Sequence, residues 1–329
     1  MRLARTTARL LLLAVLAGGF LTFRLSRPYQ GFQGQTFVDI PRGASTATMA
    51  VMLAKAGVVR SRWDFLLARL VKRGRVLQAG EYRFERPASP TEVLGRIARG
   101  DIFYYELVVP EGKNMFDIAA GVEDLGLFKA SRFLAAARNP ALIRDLDPLA
   151  PSLEGYLFPD TYKLSRHTTP EGLCRLMTAK FREAWASLMR NEDIHRTVTL
   201  ASLVEKESKL AAERPKIAAV FENRLHIGMK LDCDSTTIYA ALLDGRYSGV
   251  IHRSDLDSTH PYNTYRHAGL PPGPIANPSL ASIRAVDAPD HTDALYFVLR
   301  PGDSGAHEFS ANIAAHEAAA ARFRRARKK

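Results

Sequence analysis

Apolar and polar positions divide this chain into an apolar N-terminal run, a set of short strand and helix units, and a longer helical half. The apolar run extends from Leu10 to Phe23, with Arg2, Arg5 and Arg9 before it and Arg24 and Arg27 after it. Arginines ahead of such a run suit a signal peptide or a bacterial anchor whose N-terminus stays inside. A spanning helix commonly takes about 20 residues. The run reaches that length only when extended through Ala8 and Leu25 with the flanking arginines snorkelling. Leu16-Ala17-Gly18-Gly19 is not a clear cleavage site, so an uncleaved anchor over residues 1–28 is favoured. Either reading puts the rest of the chain outside the cytoplasm.

The short units follow. Val38-Asp39-Ile40-Pro41-Arg42-Gly43 opens a segment ending Gly57-Val58-Val59, and Leu107-Val108-Val109-Pro110-Glu111-Gly112 opens another ending Gly126-Leu127-Phe128. The two align without a gap, each reading as a strand, a Pro-x-Gly turn, a helix and a glycine C-cap. Between them, Trp63 to Val71 reads as a helix and Gly80 to Phe84 alternates like a strand. Ser89-Pro90-Thr91-Glu92 is a capping box with proline at the first helical position, opening a helix toward Ile97. The region 29–150, with its repeat at 38–59 and 107–128, thus predicts small α+β modules that resemble LysM repeats. The region 151–329 predicts a mostly helical, loop-rich domain, so the fold class is α+β. Its helices run from Pro170 to Asn191, from Thr199, from Pro215 to Gly228 and from Ser310 to Arg325. Tyr296 to Leu299 reads as a strand, and Leu231 to Pro278 as long loops.

One acid breaks the pattern. In the helix from Thr199, Leu200, Leu203 and Val204 mark the apolar face, and the next position on that face is Glu207. Burying a carboxylate there requires a cation, or a pKa raised until the group stays protonated. Arg214, seven residues on, is the candidate cation. Glu205 points roughly to the opposite side, so the two acids meet different environments and can take different roles.

Composition narrows the field. The 329 residues carry a net charge of +12, with 47% hydrophobic and 24% charged residues. That is enough for two or three domains with ordinary cores. The basic excess favours anionic partners, but no nucleic-acid module is present, so nucleic acid is not expected as a partner. Cys174 and Cys233 can pair only if the fold brings them together. The histidines are scattered, and no metal-ligand spacing appears.

Four segments carry the chemistry: Leu153-Glu154-Gly155-Tyr156-Leu157-Phe158-Pro159-Asp160-Thr161-Tyr162; Glu205-Lys206-Glu207 with Glu213-Arg214 and Phe221-Glu222-Asn223-Arg224-Leu225; Met229-Lys230-Leu231-Asp232-Cys233-Asp234-Ser235-Thr236-Thr237-Ile238-Tyr239; and Tyr262-Asn263-Thr264-Tyr265 leading to Gly269-Leu270-Pro271-Pro272-Gly273-Pro274-Ile275-Ala276-Asn277-Pro278. In this order and spacing they closely resemble the endolytic murein transglycosylases, the YceG-like family, over most of the chain from about Thr36 to the last helix. Asp232 stands where the family usually has Gln, and Ser235 where it usually has Pro.

The resemblance implies a lytic transglycosylase of the inner membrane, single-pass, with its catalytic domain in the periplasm. It implies peptidoglycan glycan strands as substrate, peptidoglycan synthases as partners, and no cofactor or metal. Glu207 would be the catalytic acid. Glu154, Asp160, Asp234, Asn263 and Tyr265 are candidates for binding sugar hydroxyls and acetamido groups. Equally, such residues cap turns, while Tyr156, Phe158 and Tyr262 fill a core. Arg214 and Arg224 suit helix-surface ion pairs better than ligand binding. Two rival functions remain: a muramidase using water, with Asp234 or Glu154 as second carboxylate, and a non-catalytic wall-binding protein.

Overall fold

The computed structural model describes residues 2–72, 74–188, 193–302 and 305–327, without the side chains of residues 2–10. The expectations resting on the side chains of Arg2, Arg5 and Arg9, and the end of the helix expected to reach Asn191, lie outside the described residues. The chain divides into two compact units, Met1–Tyr105 and Glu106–Lys329. The division falls after Tyr105 rather than near residue 150, so the second copy of the repeat folds with the second unit.

The first unit runs α1 (Arg2–Ser26), β1 (Thr36–Ile40), α2 (Thr46–Lys55), α3 (Arg62–Val71), β2 (Gly80–Phe84) and α4 (Pro90–Arg99). β1 and β2 pair antiparallel, with Val38 opposite Tyr82. Period-two alternation sends Val38 and Ile40 inward, where they meet Leu53 of α2, Phe65 of α3 and Leu94 and Ile97 of α4. The capping box that opens α4 is formed as the sequence predicts: Ser89 receives the Glu92 amide, and Glu92 receives that of Ser89. The end of α1 belongs to this core. Leu25 is buried there, and Arg24 pairs with the buried Asp64 at 2.5 Å. Among the described residues no helix is long and apolar enough to cross a membrane.

The second unit opens on β3 (Tyr105–Val109), then α5 (Met115–Asp124) and α6 (Ala130–Ala137). β3 pairs with β4 (Asp160–Leu164), a strand the sequence did not announce. Both copies of the repeat follow one course: Gly43 and Gly112 turn the chain with φ of 79° and 73°, and Gly57 and Gly126 leave the helices at 71°. Then come α7 (Pro170–Ala186), α8 (Ile194–Glu207), α9 (Arg214–His226), α10 (Asp234–Leu243), α11 (Arg253–Leu256), α12 (Leu280–Asp287), the antiparallel pair β5 (Tyr296–Leu299) and β6 (His307–Ser310), and α13 (Ile313–Ala326).

Two expectations change here. The segment from Leu231 to Pro278 is not wholly loop, because Asp234–Leu243 is a helix that buries Thr236, Tyr239 and Ala240. Ser310 ends a strand instead of starting the last helix, which Asn312 caps by accepting from the Ala315 amide. α8 runs through the middle of the unit and is buried continuously from Thr197 to Val204. Its Ser202 hydroxyl accepts from the Ile275 amide at 3.1 Å, fixing the Pro-rich loop against the helix. Cys174 and Cys233 are buried free thiols, so the pairing considered from sequence is not made.

Candidate active site

α8 delivers its two acids into different surroundings. The Glu205 side chain is only 5% exposed. Its Oε1 accepts from Arg214 at 3.0 Å, and its Oε2 accepts from the Ser279 backbone at 2.9 Å and the Ser279 hydroxyl at 2.5 Å. Glu205 therefore ties α8 to the starts of α9 and α12. The cation that sequence offered to Glu207 belongs to Glu205 instead, with Glu111 a second, looser neighbour of Arg214 at 3.6 Å.

Glu207 is the last residue of α8. Among the described residues its carboxyl takes a hydrogen bond from Ser235 alone, Oγ to Oε1 at 2.9 Å. Burial pushes this carboxyl above its ordinary value of 4.5; the Ser235 hydroxyl pulls it back, Asp234 adds to the rise, and His307 and Lys206 oppose it. The carbonyl end of a helix also disfavours an anion. The group is thus biased toward its protonated form and partnered by a hydroxyl rather than a cation, which is what a general acid requires.

The wall facing Glu207 comes from the Leu231–Asp234 turn and the start of α10. Asp232 sits at φ 51°, the one left-handed non-glycine among the described residues, and burial raises its carboxyl. A β-carbon is strained there, so the turn is held by its surroundings. The Cys233 amide donates to the Thr264 hydroxyl at 3.0 Å. Arg224 of α9 also secures the turn. It is buried and donates to the carbonyls of Leu231 at 2.8 Å and Leu295 at 2.6 Å, so it is an internal staple and not the surface residue its helix pattern suggested. Asp234 is exposed at the first position of α10 and accepts from the Tyr265 hydroxyl at 2.8 Å. Glu207, Ser235, Asp234 and Tyr265 are thereby brought together.

The other three candidate binding residues lie elsewhere in the unit's bonding. Glu154 is 1% exposed; it accepts from the Met115 amide at 2.9 Å and from Asn277 at 3.0 Å, so it caps α5 and anchors the Pro-rich loop. Burial raises its carboxyl to about 8, against these hydrogen bonds. Asn263 is fully buried: its amide donates to the carbonyls of Leu256 at 3.0 Å and Ser258 at 2.7 Å, and its oxygen accepts from the Tyr265 amide at 3.0 Å. Both residues are buried and hold loops in place. Asp160 opens β4 and is occupied by Lys180. Ser235 and His307 were not singled out as site residues from sequence. Ser235 was visible only as a departure from the family pattern, since its bond to Glu207 spans 28 positions.

The model of the YceG-like family matches residues 38–322. The chain belongs to the YceG-like family. Among its YceG-like relatives is an endolytic murein transglycosylase of Bacillus subtilis, 32% identical over 307 residues that cover 87% of this chain and 84% of that protein. The protein of the same description from Streptococcus pneumoniae is 32% identical over 295 residues, covering 79% of this chain and 53% of the relative. A crystal structure of a yceG-like protein from Listeria monocytogenes is similar in fold, with a TM-score of 0.55 at 28% identity over 86% of this chain and 98% of that one.

Proposed function

We propose that this protein is an endolytic lytic transglycosylase of peptidoglycan, with Glu207 as its acid. The observation that carries the reading is a carboxyl raised by burial at the end of α8, while its neighbour Glu205 absorbs the nearby cation. Protonated Glu207 gives its proton to the oxygen bridging N-acetylmuramic acid and N-acetylglucosamine. The resulting carboxylate takes the proton of the muramic C6 hydroxyl as that oxygen attacks the anomeric carbon. A 1,6-anhydro ring closes, the β-1,4 bond opens, and no water is consumed. The attack is intramolecular, which gives a large effective-concentration advantage. Asp234 and Tyr265 are the nearby polar groups offered to the sugars. Strand cleavage by Glu207→Gln tests the assignment, with a loss of roughly 10²- to 10⁴-fold expected. Activity near wild type, or a larger loss per folded molecule in Glu205→Gln, contradicts it.

A hydrolytic alternative has one specific support: Asp234 is an exposed carboxylate close enough to act on the titration of Glu207. Under that reading Asp234→Asn abolishes activity and the products end in reducing sugars.

The family supports a role in ending strand elongation near the peptidoglycan synthases, on the periplasmic side of the inner membrane. The β1-α2-α3-β2 unit supports a LysM-like module within the first unit. α1 supports membrane attachment, with apolar side chains exposed to between 60% at Leu12 and 67% at Val15. Its last turn argues against cleavage, because removal of Arg24 and Leu25 would leave Asp64 unpaired and open the core. N-terminal sequencing of the mature protein checks this, and a start between residues 18 and 28 contradicts it.

A further inference from the structure

The first unit carries an open cleft of about 1210 Å³ that the proposed chemistry does not use. Six cations line it: Lys72, Arg75, Arg83, Arg86, Arg96 and Arg99. The acids along it are Glu85, Glu92 and Asp101, and each has an engagement of its own. Glu85 pairs with Arg83 at 3.3 Å, Asp101 with Arg99 at 2.7 Å, and Glu92 accepts the Ser89 amide at 2.7 Å as the cap of α4. Six cations against three acids leave an excess of three positive charges along the cleft. Arg96 is pinned with its guanidinium 4.6 Å over Phe84 and a bond to the Arg83 carbonyl at 2.7 Å. Burial lowers its pKa first; Asp101 opposes this, Arg86 and Arg99 lower it further, and Glu85 raises it. Like charges held this close repel, and an anion entering the cleft relieves the repulsion. Arginine forks match phosphate oxygens two at a time.

A second observation points to the source of that anion. Pro28, just past the end of α1, lines the same cleft. Leu11, Leu13, Leu16, Phe20 and Phe23 are more than half exposed on that helix. At its foot a cavity of about 210 Å³ mixes Phe20, Phe23 and Tyr29 with Arg24, Arg27 and Arg60. Aromatic and arginine side chains together are the composition of a membrane interface.

We propose that the arginine-rich cleft of the first unit binds the phosphate of an anionic phospholipid headgroup. This rests on the membrane placement of α1. The cleft then sits where headgroups are, and it holds the first unit against an anionic leaflet as well as through the helix. Juxtamembrane basic residues strengthen such binding additively and in a salt-dependent way.

The test uses the full chain, diluted from detergent into vesicles of phosphatidylcholine with and without phosphatidylglycerol, and reads partition by flotation. The wild type is expected to bind both, and to prefer the phosphatidylglycerol vesicles. Arg75→Glu with Arg86→Glu is expected to keep the binding to phosphatidylcholine and lose roughly tenfold or more of the preference. Both positions are exposed, and strand cleavage in detergent should not change. Failure of the wild type to bind either vesicle overturns the membrane placement and the cleft proposal with it. Equal preference in wild type and variant overturns the cleft proposal alone. Inorganic phosphate provides the second arm. If phosphate raises the melting temperature of the wild type but not of the variant, while the vesicle preference is absent, the cleft takes free phosphate and the lipid assignment is wrong. If purified cell-wall sacculi retain the wild type better than the variant, again with no vesicle preference, the anion belongs to the wall and the lipid assignment likewise falls.

Discussion

Exchanging the two acids of α8 for glutamine, one at a time, separates structure from chemistry. Glu205→Gln leaves Arg214, 13% exposed, with the exposed Glu111 at 3.6 Å as its ion-pair partner among the described residues. Removing one partner of a buried pair costs about 3–5 kcal/mol, because the other charge stays desolvated. Glu111 moderates the loss, which puts the expected cost at the lower end, about 3 kcal/mol. For a unit of this size each kcal/mol lowers the melting temperature by about 2–4 °C, so Glu205→Gln should melt roughly 6–12 °C below wild type. Glu207→Gln breaks no ion pair, and the amide oxygen still accepts from Ser235. The folded pKa of Glu207 is raised, so ionising it costs stability as pH rises above 4.5, its ordinary value. The glutamine variant is free of that cost and should melt at or above wild type near neutral pH. Thermal unfolding followed by circular dichroism, beside strand cleavage at a temperature where all three proteins are folded, reads both effects. The reasoning fails if Glu205→Gln melts with wild type, or if Glu207→Gln melts as low as Glu205→Gln.

Ser235→Ala removes a donor that favours the charged form of Glu207, so the carboxyl should rise further. The alkaline limb of the cleavage rate should then move to higher pH while the maximal rate falls; an unmoved limb means that Ser235 does not act through Glu207. Glu154 ionises at 4.5 in the unfolded chain and at about 8 in the folded one, so the folded state binds the extra proton between those values. Stability should fall across that window as pH rises, and Glu154→Gln should flatten the slope; denaturant titrations along the pH series check this.

The legible parts of this fold are those with local signals. Alternation from Gly80 to Phe84 found β2, and Ser89, Pro90 and Glu92 found the start of α4. The spacing of Leu200, Leu203 and Val204 singled out Glu207. The family motifs were equally legible, since they are runs of contiguous residues. What the sequence hid depends on distant partners. Glu154 meets Asn277 across 123 positions, a buried joint that no local pattern announces. Asn263 bonds nearby carbonyls, but only a folded loop makes it a hub. α10 hid behind Asp, Ser and Thr, residues that favour turns until burial of Tyr239 and Ala240 outweighs local preference. Arg214 was matched to the wrong glutamate because α8 ends at Glu207 and α9 begins at Arg214, so no continuous helical face joins the two.

The central claim is that Glu207 works without an activated water. The measurement that meets it most directly is mass spectrometry of the ends released from purified glycan strands by the wild-type protein. The account predicts 1,6-anhydro-N-acetylmuramic acid ends, lighter than reducing ends by one water, on fragments of many lengths from the earliest time points. Reducing ends, or anhydro disaccharides alone from the first minutes, contradict it.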